Sequence, residues 1–366
     1  MLKYLLPFIT AFVLTVSLVA VLKFIAKKIS WTARSSSRHI HQGESYRIGG
    51  IAMIIAFNLA IWFNQDLFIT VQLYGVMAAS LVVLAVGVWD DLREVFWKTQ
   101  LFYQVAVAIL VFILGLRIYD VTNPLTGGVL HFDAGSFGII LSIFLVVVWI
   151  VVMINAMNWL DGIDGLSGGI SFICAITIFV LSLQPEVNQP PVAILAMILS
   201  GAILGFVFFN FHPSLVLAGT SGSMFMGFAL AALAIFAGTK IATAILALSL
   251  PIIDFVWVIG ERIRNKKSVF MADKNHLHHK LLELGWSQRK ITLHFYGVTA
   301  LIAIVALNTR AIGKSITLAV TSAIMVSAII FINKKLAHKK QTDEKNNGSG
   351  RPAGIGGGIG DLSDIS

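Results

Sequence analysis

A single cysteine, Cys174, stands in 366 residues, so no intrachain disulfide framework can form. Its place inside an apolar run assigns it to packing. Charge is scarce as well: Asp, Glu, Lys and Arg make up 12% of the chain, roughly half the share in soluble domains. Long polar stretches are also missing, the longest before the C-terminal tail being 260–291. These absences exclude a disulfide-stapled secreted domain and an ordinary soluble enzyme. What remains is apolar: 57% of residues are hydrophobic and the mean hydropathy is +0.86. That composition is of an all-α polytopic membrane protein, its apolar surface facing lipid and neighbouring helices.

Eleven apolar runs can be drawn, at 4–25, 48–64, 70–89, 99–116, 137–157, 167–183, 191–209, 222–237, 241–259, 292–307 and 315–333. The first is preceded by Lys3 alone and ends in Lys27-Lys28 without a small-residue cleavage pattern, so it reads as a retained span rather than a signal peptide. Strict alternation then places 26–47, 90–98, 158–166, 210–221, 260–291 and everything after 333 on one side. That side holds 21 of the 27 Lys and Arg. By the positive-inside rule it is cytoplasmic. The net charge of +9 is thus accounted for by topology, and nucleic acid is excluded as a partner. Residues 1–335 form the membrane domain. Residues 336–366, Gly-rich from Asn346, read as a disordered and dispensable cytoplasmic tail.

The unusual polar clusters all fall on that basic side. Asn155, Asn158, Asp161 and Asp164 recur every third residue in NAMNWLDGIDGL, at the mouth of the fifth run. Gly162 and Gly165 loosen the backbone there, and ionisable groups beside a span mark a functional site by default. A helix end capped by Asp and Gly explains one of these residues, not the series. Arg38, His41 and Arg47 precede Gly49-Gly50, and cations beside a diglycine suit phosphate oxygens and close backbone approach. Taken singly, each cation is equally well explained as topogenic charge. Asp90-Asp91 follow the third run, where topology favours cations; adjacent acids bind a divalent metal or split into acid and base. The alternative is a solvated turn with Asp91 capping the next helix. Asn210 and Pro213 precede a Gly-rich helix start (Gly219, Gly222) whose amides suit an anion. Finally, His276, His278 and His279 follow Arg262, Arg264, Lys266 and Lys267. The spacing lacks the partners of a zinc site, and these groups are better matched to a diphosphate. Carboxylates for a hard cation, cations for phosphates and a lipid surround are the equipment of phosphoryl transfer to a lipid acceptor.

Four motifs in order carry a family resemblance: RxxH…RxGG (Arg38 to Gly50), Asp90-Asp91, NxxNxxDGxDGL (Asn155 to Leu166) and HxHH (His276 to His279). Over about residues 1–335 the chain resembles the polyprenyl-phosphate N-acetylhexosamine-1-phosphate transferases, and its HLHH form resembles the GlcNAc branch. The resemblance implies transfer of N-acetylglucosamine-1-phosphate from a UDP-sugar to undecaprenyl phosphate. The products would be the lipid diphosphate-sugar and UMP, the first membrane step of cell-surface polysaccharide synthesis in a bacterial inner membrane. It implies Mg²⁺ or Mn²⁺ as cofactor, with Asp91, Asp161 and Asp164 as metal ligands. Asp90 and Asp91 would orient the lipid phosphate, while Asn158, Asp161 and Asp164 would engage the nucleotide sugar. His276, His278 and His279 would hold the diphosphate, with Arg262 assisting. The partners are UDP-N-acetylhexosamine, undecaprenyl phosphate and the bilayer, with a homodimer allowed.

Two positions depart from the family pattern. Tyr46 stands where the family has Pro. Thr220 stands where the family has a metal-binding Asp. The second departure predicts weak activity at high metal concentration, and a gain of about tenfold on Thr220→Asp, the scale of a lost metal-site partner. It also raises the alternative of a regulatory homologue that binds lipid or nucleotide sugar without turnover. A transporter is disfavoured, because the polar groups collect at one face and not at the bilayer midplane.

Overall fold

In lipid each backbone N–H and C=O must be satisfied within its own segment, so the apolar runs can only be helices. The computed structural model describes residues 1–28, 45–122, 128–131, 135–238, 241–269, 275–309 and 311–348. Its elements in chain order are α1 (Leu2–Lys28), α2 (Gly49–Trp62), α3 (Val71–Leu92), α4 (Trp97–Ile113), β1 (Asp120–Thr122), β2 (Val129–His131), α5 (Ser136–Leu160), α6 (Leu166–Ser182), α7 (Pro190–Asn210), α8 (Gly219–Phe236), α9 (Ile241–Ala247), α10 (Ser249–Arg264), α11 (Leu277–Glu283), α12 (Gln288–Asn308) and α13 (Ala311–Gly348). The helix ends follow local chemistry. Thr70 caps α3 by accepting from the Leu73 amide, Ser287 caps α12 by accepting from Lys290, and Pro190-Pro191 open α7.

Among the described residues, seven helices are long and apolar enough to cross a membrane: α1, α3, α5, α7, α8, α12 and most of α13. Three more, α2, α4 and α6, are apolar but shorter. The protein is a multi-pass helical membrane protein. The expected single span at 241–259 is corrected: it is two helices, broken at Leu248. Pro251 is the cause. It has no N–H to give the Ala247 carbonyl, and its ring crowds that oxygen. The released carbonyl accepts from Cys174 Sγ at 3.3 Å, so the lone cysteine does more than pack. Helix α13 runs on as one helix to Gly348, past the expected boundary at 335. Leu336 is buried there, Lys339 Nζ donates to the Glu283 carbonyl at 2.9 Å, and Lys340 pairs with Glu283 at 3.0 Å. Cations suit a helix C-terminus, which favours continuation.

Helix α8 is the centre of the bundle, packed by α3 on one side and α5 on another, with nearly every side chain from Ser221 to Ile235 buried. Small residues let the backbones close up, as is usual between membrane helices. A Cβ at Gly227 would stand 2.4 Å from the Met153 carbonyl of α5, and one at Gly201 of α7 would stand 2.2 Å from the Phe8 carbonyl of α1. The β1–β2 hairpin, paired Asp120 with His131, lies in the link between α4 and α5. The motifs gather at the other end, where α3 and α5 finish and α8 begins.

Candidate active site

Two carboxylates end α3 and meet the first turn of α8. Asp91 Oδ1 accepts from Arg47 Nη1 at 3.3 Å and from the Thr220 amide at 3.0 Å. The Thr220 amide at this helix start is thus taken by the protein's own carboxylate. Asp91 Oδ2 is buried and has no hydrogen-bond partner among the described residues. It lies over Gly219, where a Cβ would come within 2.4 Å of it and where φ is +67°, a conformation that glycine alone adopts freely. Asp90 is held on both oxygens. Oδ1 accepts from the Val95 amide at 2.9 Å and Gln100 Nε2 at 2.6 Å, and Oδ2 accepts from Thr220 Oγ1 at 2.6 Å.

The loop after α5 brings the second pair. Asp161 Oδ1 accepts from Ser167 Oγ at 2.5 Å. Burial pushes the Asp161 carboxyl up to about 6, opposed by the Ser167 hydrogen bond, then raised by Asp91 and Asp164 and lowered by Arg47. The three acids and the arginine thus act on one another. Asp164 Oδ2 accepts from the Ser214 amide at 3.1 Å and lies 2.7 Å from His212 Nδ1. Its backbone is tied to α12 through Gln288 and Thr292. Asn158 Oδ1 accepts from Ser223 Oγ at 2.8 Å, one turn into α8.

The histidines come from α11 and its cap. His278 is fully buried, and neither ring nitrogen has a hydrogen-bond partner among the described residues. Burial lowers its pKa well below the usual histidine range, with His279 and His276 adding to the shift, so the ring is neutral. It presses on the acid loop: a Cβ at Gly162 would stand 2.2 Å from His278 Nε2 and 3.1 Å from His279 Nε2. His276 Nδ1 lies 2.8 Å from Asp254 Oδ2, and Asp254 Oδ1 accepts from the Leu277 amide at 2.9 Å. The Trp159 ring stands edge-on to His276 and takes the Arg262 guanidinium over its face at 4.5 Å.

The structure thus brings Arg47, Asp90, Asp91, Asn158, Asp161, Asp164, His276, His278 and His279 to one end of the bundle. Asn155, Asn210, the diglycine and Arg262 bond within the protein. Asn155 bonds to Gln104 of α4, its Nδ2 donating to Gln104 Oε1 at 2.6 Å, so it pins two helices. Asn210 links the two loops, accepting from the Gly165 amide and donating to the Val216 carbonyl. The diglycine packs on protein rather than cradling phosphate: Gly49 and Gly50 donate to the Leu217 and Ala218 carbonyls. Arg262 is buried and donates to the Val269 carbonyl. Arg38 and His41 lie outside the described residues. Asp254 was missed, although it is the one acid inside an apolar run, which is itself a signal of function.

Among the described residues no three His, Cys, Asp or Glu side chains form a ready metal cage. The three proposed ligands are therefore not a preformed trio. They still fit Mg²⁺, which is commonly held by one or two carboxylates with substrate phosphates and water completing the shell. Asp91 Oδ2 is a buried oxygen unpaired among the described residues, and the repulsion of Asp161 by Asp91 and Asp164 is what a cation relieves.

A helical membrane bundle that gathers four acids and three histidines at one end has the makings of a membrane-embedded active site. The chain belongs to glycosyl transferase family 4, whose profile matches residues 73–238. It is 28% identical over 338 residues to a probable undecaprenyl-phosphate N-acetylglucosaminyl 1-phosphate transferase of Bacillus subtilis, covering 91% of each chain. It is 29% identical over 353 residues to the decaprenyl-phosphate N-acetylglucosaminephosphotransferase of Mycobacterium leprae, covering 88% of this chain and 86% of that one. It is 32% identical over 329 residues to the phospho-N-acetylmuramoyl-pentapeptide-transferase of Halalkalibacterium halodurans, covering 83% of this chain and 96% of that one.

Proposed function

We propose that the protein transfers N-acetylglucosamine-1-phosphate from UDP-GlcNAc to undecaprenyl phosphate, releasing UMP. The observation that carries this reading is that Asp91 and Asp164 both act on the buried Asp161, in the loop whose Gly162 lies against His278 and His279. Relatives named for this transfer align over most of the chain, and the binding-only alternative has no comparable support.

The lipid phosphate needs little activation, since the second pKa of a phosphate monoester is about 6 and the dianion prevails at pH 7. One of its oxygens attacks the β-phosphorus in line, a new P–O bond forms, and the bond to the bridging oxygen breaks with UMP leaving. Asp91, Asp161 and Asp164 would hold Mg²⁺ or Mn²⁺, which supplies charge neutralisation for the diphosphate. His278, neutral and buried beside Gly162, offers a ring N–H to a phosphate oxygen without adding charge. Asp254 orients the His276 ring. Arg47 turns Asp91 so that Oδ2 stays open.

We place this end on the cytoplasmic side of the inner membrane, with eleven crossings counting α9–α10 as one. A cysteine at Asn275 should resist a membrane-impermeant reagent added to intact cells; ready labelling would overturn the orientation.

The deciding assay is UMP release by the purified protein with undecaprenyl phosphate and Mg²⁺. UDP-GlcNAc should support turnover and UDP-N-acetylmuramoyl-pentapeptide should not. Turnover with the pentapeptide donor alone would move the chain to the other branch, and none with either would refute the reading.

A further inference from the structure

Helix α8 begins with an uncharged polar turn, Gly219-Thr220-Ser221-Gly222-Ser223. Two hydroxyls three residues apart lie on one side of a helix. Here they point to different helices. Thr220 Oγ1 donates to Asp90 Oδ2 of α3 at 2.6 Å, and Ser223 Oγ donates to Asn158 Oδ1 of α5 at 2.8 Å. The Thr220 amide meanwhile donates to Asp91 Oδ1 at 3.0 Å. One turn therefore binds the paired acids to the asparagine-aspartate motif, and Thr220 reaches both acids of the pair.

We propose that Thr220 is a positioning residue for this transfer: its hydroxyl fixes Asp90 while its amide fixes Asp91, leaving Asp91 Oδ2 as the open oxygen. The proposal rests on the transferase reading above. It reverses the expectation that Thr220 is a vacant metal ligand. A hydroxyl can donate to Asp90, and a carboxylate at neutral pH cannot. Aspartate at 220 would put a second anion against an oxygen that now accepts a 2.6 Å bond, beside Asp91 and within the field of Asp161. Asp91 Oδ1 is held by the Thr220 amide and by Arg47, so this carboxylate is already fixed without a charge at 220.

The test uses the full-length protein in detergent, with rate against undecaprenyl phosphate and Mg²⁺, Mn²⁺ affinity by electron paramagnetic resonance, and the thermal midpoint. Thr220→Val should lower kcat about tenfold, the scale of a hydrogen bond to a charged group, with KM and Mn²⁺ affinity within about twofold. Thr220→Ser, which keeps the donor, should recover the rate that Val loses, whereas Thr220→Asp should be slower than the native chain. If Val lowers the midpoint, Thr220→Ala removes the same hydroxyl without a branched replacement and decides the matter. A faster Thr220→Asp protein with tighter Mn²⁺ binding would show a vacant metal ligand and overturn the proposal, as would Val and Ala variants with native kcat. A native chain that releases no UMP from any donor defeats the transferase reading and this role with it. A native chain that is active beside an equally active Val variant defeats this role alone.

Discussion

Replacing Asp254 with Asn tests whether the histidine cluster is held in place from inside the bundle. Asp254 sits in the second turn of α10 and is buried, as is His276. Its two oxygens have separate tasks: Oδ2 faces His276 Nδ1 at 2.8 Å, and Oδ1 accepts from the Leu277 amide at 2.9 Å. Asn keeps an acceptor for the amide, so the start of α11 should survive. It loses the negative charge toward the ring, and its NH₂ requires His276 Nδ1 to accept instead of donate. That inverts which ring nitrogen carries the proton on the side away from α10. A hydrogen bond to a charged group contributes about 1.5–3 kcal/mol, which corresponds to about 10–150-fold in rate if it is expressed in the transition state. The expected outcome is a fall in kcat of that size with the thermal midpoint nearly unchanged. Asp254→Ala should lower both, because it also leaves the Leu277 amide buried and unpaired. A fall in the midpoint for Asn equal to that for Ala would make Asp254 a structural cap only. Native turnover in Asp254→Asn would refute the positioning of His276 altogether.

Gly162→Ala should cost roughly 1–3 kcal/mol and most of the turnover, since the new Cβ meets His278 Nε2 at 2.2 Å and the buried ring has nowhere to go; a fully active Ala variant would show that α11 does not rest on the acid loop. Truncation after Lys335 removes the buried Leu336 and the Lys339 bond to Glu283, so both activity and midpoint should fall, while truncation after Gly348 should change neither; equal behaviour of the two would return the helical extension to the status of a dispensable tail. Asp161 has its pKa raised from 3.8 to about 6, so without metal its buried charge costs stability that is recovered as pH falls from about 6 towards 4. Mg²⁺ competes with that proton, and its stabilising shift of the midpoint should be large at pH 7.5 and fade as pH falls through about 6; a shift independent of pH would place the ion elsewhere.

The helices were legible because lipid leaves the chain few options: each apolar run in the sequence lies on helix. Where the reading slipped, a local rule had been overlooked. Pro251, midway along the apparent span 241–259, is the signal of the break at Leu248. The expectation of a disordered tail rests on the glycines after Asn346, while the cations between 334 and 345 suit the C-terminal part of α13. The acids and histidines were legible for a different reason, since each sat where neither topology nor hydropathy wanted it. Asp254 carried the same signal and was masked by the apolar run around it.

What the sequence concealed is which polar groups face each other. Asn155, Asn158, Asp161 and Asp164 share one spacing, yet the structure divides them: Asn155 is spent on Gln104 of α4, Asn158 on Ser223 of α8, and the two acids lie past the helix end. A period of three drifts around a helix, so equal spacing could not place four side chains in one site. The same limit explains Thr220. Set against a family motif, it reads as the loss of a charge. Set against its neighbours, it supplies the donor that a paired acid accepts, and a residue counted as a defect becomes part of the site's construction.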